Sequence, residues 1–279
     1  MPELPEVETI RRGVEGSLVG KRVADVEVLV PKILKPPFTD PEEFAEKLIS
    51  SRMVNARRRG KHLIFGMDSG YALYAHLNMR GQLVVAQDSA AAPSKYLCLV
   101  IGFETATELR YHDIWTWGEL RLVPDRPEDI ASFVPALGSM GPEPLSETFT
   151  GEGLKYGARS KQGTAIKTVL LDQSVVAGVG NIYGDEALFR SGISPLRKAG
   201  SLTDAEWRIL AENIKMVIGD AVSAGGTLSN NYVDVYGLVG RYRPQVYGRA
   251  NEPCIDCGVQ LKGSRLAGRS TVFCPNCQQ

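Results

Sequence analysis

Four of the five cysteines fall in two C-x2-C pairs, Cys254/Cys257 and Cys274/Cys277, with sixteen residues between them. That spacing suits one tetrahedral metal, each pair folding into a tight knuckle with both thiolates turned inward. Four thiolates close the coordination shell and leave no position for water, so the expected cofactor is one structural Zn2+ per chain. The alternative is a pair of redox C-x-x-C motifs, each of which would follow a strand in a βα unit. The flanking Gly, Arg, Pro and Asn residues lack helical periodicity and favour zinc.

A second chemistry is written at the other end. Met1-Pro2 precedes Glu3 and Glu6. Removal of the initiator methionine is expected and would expose the secondary amine of Pro2. An α-amino group titrates near pH 7.7–8.0, far below lysine, and an unprotonated amine can attack a carbonyl-like carbon to give an iminium. The two carboxylates can move protons or stabilise the developing cation. The bland reading, a disordered start, stays open from these residues alone.

These groups need elements to hold them. The chain has 279 residues, enough for two domains, with apolar (43%) and charged (23%) fractions of an ordinary soluble protein. No apolar run is long enough to span a membrane. The acidic, proline-punctuated start is unlike a signal peptide, so a reducing cytosol is expected, with Cys98 a buried core residue. Lys plus Arg equals Asp plus Glu, 32 each, so the total charge points to no polyanionic partner. The distribution does: Arg57-Arg58-Arg59-Gly60-Lys61 and the arginine-rich tail from Arg241 suit local phosphate contacts.

Short β-rich runs over 23–30, 62–66, 71–77, 81–85, 96–103, 107–111 and 118–123, separated by turns, predict an antiparallel sandwich. Helices are expected over 6–18 and 41–49 at its start. The proline-dense stretch within 124–146 reads as linker, and helical patterns follow over 164–171, 182–191 and 203–219. The fold class is thus α+β multidomain, with domains expected at 1–133 and 147–240, a linker at 134–146, and a β-hairpin zinc finger at 241–279.

Several motifs together resemble bacterial formamidopyrimidine-DNA glycosylase. They are Pro2-Glu3-Leu4-Pro5-Glu6-Val7-Glu8, the basic stretch at 57–61, His76-Leu77-Asn78-Met79-Arg80-Gly81, Val179-Gly180-Asn181-Ile182-Tyr183, Val246-Tyr247-Gly248-Arg249 and the run from Gly268 to Pro275. They cover essentially the whole chain in order. The resemblance implies an N-terminal catalytic sandwich, a helix–two-turn–helix domain and the zinc finger. It also implies a monomeric repair enzyme of the nucleoid. Such an enzyme excises 8-oxoguanine and formamidopyrimidines from duplex DNA and cleaves the strand at the abasic site by β/δ-elimination.

By that resemblance Pro2 is the nucleophile on the sugar C1′, Glu3 the acid assisting ring opening, and Glu6 its support. Lys61 contacts phosphate and assists elimination; Lys167, Asn181 and Tyr247 bind phosphate; Arg269 grips the backbone and serves the last elimination. Met79 fills the space of a flipped-out nucleotide. The chain departs from the pattern after Asp113, where an Arg that reads the orphaned cytosine and a Phe wedge are replaced by Trp115 and Trp117. Trp117 can still wedge, but Trp115 has no guanidinium, so preference for a lesion opposite cytosine is expected to shrink. Asn230 also replaces an Arg of the lesion-covering loop. Two alternatives stand beside this reading: an endonuclease VIII-like enzyme acting on oxidised pyrimidines, disfavoured by Leu4, and a non-catalytic clamp on damaged DNA.

Overall fold

Short β-rich runs, some alternating in burial and some, as over 62–67 and 97–103, buried throughout, fold the first part of the chain into two four-stranded sheets. The computed structural model describes residues 1–87, 94–228 and 232–279, so Asn230 lies outside the described residues. Two compact units emerge, Met1–Gly138 with Leu228–Gly240, and Ser139–Thr227 with Arg241–Gln279.

In the first unit, helix α1 (Leu4–Leu18) precedes β1 (Val23–Val28), α2 (Pro41–Leu48) and seven more strands. These are β2 (Met53–Arg59), β3 (His62–Met67), β4 (Tyr71–His76), β5 (Gly81–Gln87), β6 (Leu97–Phe103), β7 (Thr107–Asp113) and β8 (Glu119–Pro124). One antiparallel sheet runs β1-β6-β7-β5 and the other β2-β3-β4-β8. Leu63, Phe65 and Leu73 of one sheet share a core with Leu99, Ile101 and Leu109 of the other, sealed by Val7, Ile10 and Val14 of α1. The unit is a β-sandwich with flanking helices.

Strand β2 goes unread in the sequence because it carries Asn55, Arg57, Arg58 and Arg59. Its arginines are tolerated by pairing: Arg58 donates to Glu8 of α1 (3.1 Å), and Arg57 pairs with Asp125. Two helices, α3 (Pro127–Phe133) and α4 (Pro135–Gly138), occupy the proline-dense stretch, with Pro127 in the first turn of α3, where the missing N–H costs nothing. Residues 232–240, expected with the second domain, belong to the first unit. Val235 reaches its core, and its carbonyl accepts from Val85 N (2.7 Å). Gly13 permits this approach, since a Cβ there would lie 2.2 Å from Val235 Cγ2.

The second unit holds α5 (Gly151–Gly157), α6 (Ile166–Leu170), α7 (Asn181–Arg190), α8 (Asp204–Ser223) and the hairpin β9 (Lys262–Leu266)–β10 (Arg269–Phe273). Helix α8 starts in a capping box, Thr203 and Glu206 bonding reciprocally, and buries Trp207, Leu210, Ile214, Val217 and Ile218. Among the described residues no helix is long and apolar enough to cross a membrane.

Candidate active site

Pro5 in the first turn of α1 and the bond from Glu3 N to Glu6 Oε2 (2.9 Å) fix the helix start, so the residues before it enter the fold rather than fray. Pro2, Glu3 and Glu6 are all buried. The terminal amine, here that of Met1 and standing in for the Pro2 amine one residue on, has its pKa lowered. Burial is the main cause. Lys61 and Arg80 lower it further, while Glu3 and Glu6 oppose them. Two carboxylates and two cations therefore lie within electrostatic reach of an amine whose environment favours the neutral, nucleophilic form.

Lys61 sits in the turn between β2 and β3 and is buried. The turn is held by Arg58 Nη1, which donates to the Gly60 carbonyl at 2.8 Å. Behind it His62 stacks on His76 across the strands at 4.3 Å and bonds Tyr74 Oη through Nδ1 at 2.6 Å. Burial, then the neighbouring His76 and Lys61, drive the His62 pKa down to about 3, so this ring is neutral at physiological pH.

In the same unit, Met79 lies in the β4–β5 turn and is 40% exposed. Trp115 and Trp117, 39% and 56% exposed, project from the β7–β8 loop with ring centroids 4.8 Å apart. Buried Asp113 shapes this loop by accepting from Trp115 N (2.9 Å), Gly118 N (2.7 Å) and Tyr111 Oη (3.1 Å). The two loops are tied where Asn78 Nδ2 donates to the Trp117 carbonyl at 2.6 Å. Sequence reading passed over Asp113 because an isolated Asp gives no sign of which amides it will bind.

The remaining candidates belong to the second unit. Asn181 is the first residue of α7, its Nδ2 donating to Ser270 Oγ at 3.1 Å. Arg269 opens β10 and is exposed, whereas Tyr247 is half-buried beside Val246. Lys167 lies in the interior of this unit. It is 0% exposed, and its ammonium lies 2.7 Å from both Asp185 Oδ1 and the Ser270 carbonyl. An ammonium so enclosed joins α6, α7 and the hairpin. Burial raises the Asp185 pKa to about 6 against the pull of Lys167. Glu186, which the sequence did not flag, accepts from the backbone N–H of Gln245 (2.7 Å), Val246 (2.9 Å) and Tyr247 (2.9 Å).

The four cysteine Sγ atoms lie within 4.8 Å of one another, with Cys254–Cys277 at 3.9 Å and Cys257–Cys274 at 3.5 Å. Thiolates about 2.3 Å from one zinc stand roughly 3.8 Å apart in a tetrahedron. The cluster fits one structural zinc ion, held by Cys254, Cys257, Cys274 and Cys277.

Family models match nearly the whole chain: the formamidopyrimidine-DNA glycosylase N-terminal domain over residues 1–120, the H2TH domain over 140–232, and the zinc finger found in FPG and IleRS over 251–279. The formamidopyrimidine-DNA glycosylase of Geobacillus kaustophilus is 43% identical, and that of Bacillus subtilis 40%. The alignments span 100% of this chain and 100% and 99% of those proteins, respectively. Among solved structures, MutM in complex with DNA containing carbocyclic 8-oxo-G superposes with a TM-score of 0.89 at 33% identity, covering 100% of both chains. The Lactococcus lactis Fpg bound to abasic-site DNA gives 0.90 at 33% identity over 99% of each. An N-terminal amine with carboxylates and cations in electrostatic reach, an aromatic loop pair and a four-thiolate finger thus share one chain, which belongs to the formamidopyrimidine-DNA glycosylase family.

Proposed function

We propose that this protein excises oxidised purines, 8-oxoguanine and formamidopyrimidines, from duplex DNA and then cleaves the strand as an AP lyase. The observation that carries the mechanism is the buried Pro2 behind a terminal amine of lowered pKa, with Glu3, Glu6, Lys61 and Arg80 in electrostatic reach. Once Met1 is removed, the Pro2 nitrogen attacks C1′ of the damaged nucleotide and the bond to the base breaks. Glu3 donates a proton to the sugar ring oxygen as the ring opens, leaving an iminium between Pro2 and C1′. Elimination then expels the 3′ phosphate and after it the 5′ phosphate. Lys61 and Arg269 steady the departing phosphates, and Asn181 and Tyr247 position the backbone. Zinc takes no part in these steps. Its closed thiolate shell holds the hairpin that carries Arg269. We place the activity in the cytoplasm, at the nucleoid, by a monomer.

The test is a panel of duplexes carrying 8-oxoguanine, a formamidopyrimidine or dihydrouracil. The expected result is excision and strand cleavage at the two oxidised purines, with dihydrouracil a poor substrate. Preference for dihydrouracil would favour the oxidised-pyrimidine reading. Tight binding to every duplex without a cut would favour the non-catalytic clamp.

A further inference from the structure

The second unit carries a cleft that none of the steps above uses. It opens between α5 and α8, has a volume of about 620 Å³, and takes Lys155, Tyr156, Arg159, Trp207 and Arg208 into its lining. Gly151 lets the two helices approach, since a Cβ there would lie 2.6 Å from Arg208 Cα. We propose that this cleft docks an acidic segment of a partner protein. Carboxylates of that segment meet Arg159 and Arg208, and an apolar side chain packs on Tyr156 and Trp207.

The rim supplies the charge. Lys155 is taken by Asp204 at 2.5 Å, but among the described residues neither Arg159 nor Arg208 forms an ion pair, and both are exposed. Arg159 lies over the Tyr156 ring at 3.9 Å and directs one N–H, from Nη1, to the Tyr156 carbonyl at 2.9 Å. Arg208 reaches only the Asp204 carbonyl, through Nε at 3.4 Å. A guanidinium carries five N–H donors in a planar fork, so both keep donors for a carboxylate.

The walls supply the apolar contact. Tyr156 is 66% exposed, and Trp207, otherwise buried, lines the cleft. Tyrosine, tryptophan and arginine are the side chains that most often dominate the binding energy of protein interfaces. Ile209 and Met216, two turns apart on one side of α8, are exposed as well and add apolar surface to the same helix. Cavities of about 300–1,000 Å³ enclose whole ligands, so the cleft has room for a large side chain with its neighbours.

The mixture of signs decides between a peptide and a nucleic acid. Glu152 and Asp204 stand among the cations of the lining. A phosphate backbone laid across them would meet carboxylates as well as guanidiniums. A peptide sets its carboxylates at separate positions, with N–H groups and apolar side chains between them. No residue of the cleft belongs to the set proposed above for excision, so docking and catalysis are separable by mutation.

The test is fluorescence anisotropy of the full-length protein with a labelled pool of short peptides in which aspartate or glutamate flanks one phenylalanine. One control pool replaces the acidic residues by lysine, another the phenylalanine by alanine. The acidic aromatic pool should bind, and each control should bind about tenfold more weakly or worse. Arg159→Glu and Arg208→Glu should each weaken binding by about ten- to a hundredfold, the range for a hydrogen bond to a charged group. Tyr156→Ala should weaken it by about tenfold. Cleavage of an abasic-site duplex should be unchanged in all three variants, which checks that they fold. No preference for the acidic pool, or binding that survives both Glu substitutions, would overturn the proposal and leave the glycosylase reading intact. Arg208→Glu weakening an undamaged duplex but not the peptides would reassign the cleft to nucleic acid. Self-association of the natural protein that Tyr156→Ala abolishes, without peptide binding, would reassign it to a second copy of this chain.

Discussion

Around the amine, charge is set by burial and by partners residue by residue. Glu8, one turn along α1 from Leu4, is opposed by burial, yet hydrogen bonds from Arg11, Arg12 and Arg58 hold it at about 2. His62 goes the other way, neutral down to about 3 because its ring is enclosed beside His76 and Lys61. The signs of both point to acid sensitivity. In the folded state His62 binds its proton only near pH 3, whereas unfolded it does so at about 6.5, so stability is complete above 6.5 and falls as pH drops below it. Between pH 7.5 and 5 this group alone should cost roughly 2 kcal/mol. Glu8 adds nothing until pH falls below its ordinary 4.5. Urea unfolding at the two pH values should show the loss, and His62→Gln should remove most of it; an unchanged pH dependence would mean that His62 titrates normally.

Elements in this protein are joined by carboxylates as much as by apolar faces. Glu186, buried on α7, gathers three consecutive backbone N–H groups at 245–247 and sets the chain's entry into the zinc finger. Asp185 beside it takes Val272 N of β10 (3.1 Å) and the Lys167 ammonium (2.7 Å). Hydrogen bonds to a charged acceptor contribute about 1.5–3 kcal/mol each, and leaving a buried donor unmet costs a similar amount. Glu186→Gln keeps the shape but gives up the charge and turns one acceptor into a donor facing N–H groups. It should destabilise the second unit by roughly 2–4 kcal/mol and speed amide exchange at 245–247 with zinc still bound, since the four cysteines are untouched. Exchange rates equal to those of the natural protein would show that the finger is held by zinc and the apolar cluster of Phe189, Val246, Leu261 and Val272 alone.

At the scale of the whole molecule, what the sequence disclosed followed its periodicity and spacing. The seven expected strands of the sandwich, α1, α2, α7 and α8 are close to where β-rich runs, helical periodicity and caps put them. The cysteine spacing disclosed the finger because four thiolates have few other uses in that pattern. Strand β2 stayed hidden because its arginines are neutralised by Glu8 and Asp125, fifty and sixty-eight residues away, which no local pattern records. The burial of Lys167 stayed hidden for the same reason, its partner Ser270 being remote in sequence. The cleft between α5 and α8 was likewise invisible, since only folding brings those helices together. The central claim, however, rests on the first residues of the chain. Borohydride reduces an iminium to a stable amine and so fixes any enzyme–DNA bond made through Pro2. With a duplex bearing 8-oxoguanine opposite cytosine, mature protein beginning at Pro2 should give a covalent complex whose cross-link maps to that residue. Protein carrying a leader ahead of Pro2 should give none. Equal trapping by the two forms, or a cross-link on a lysine, would contradict the account.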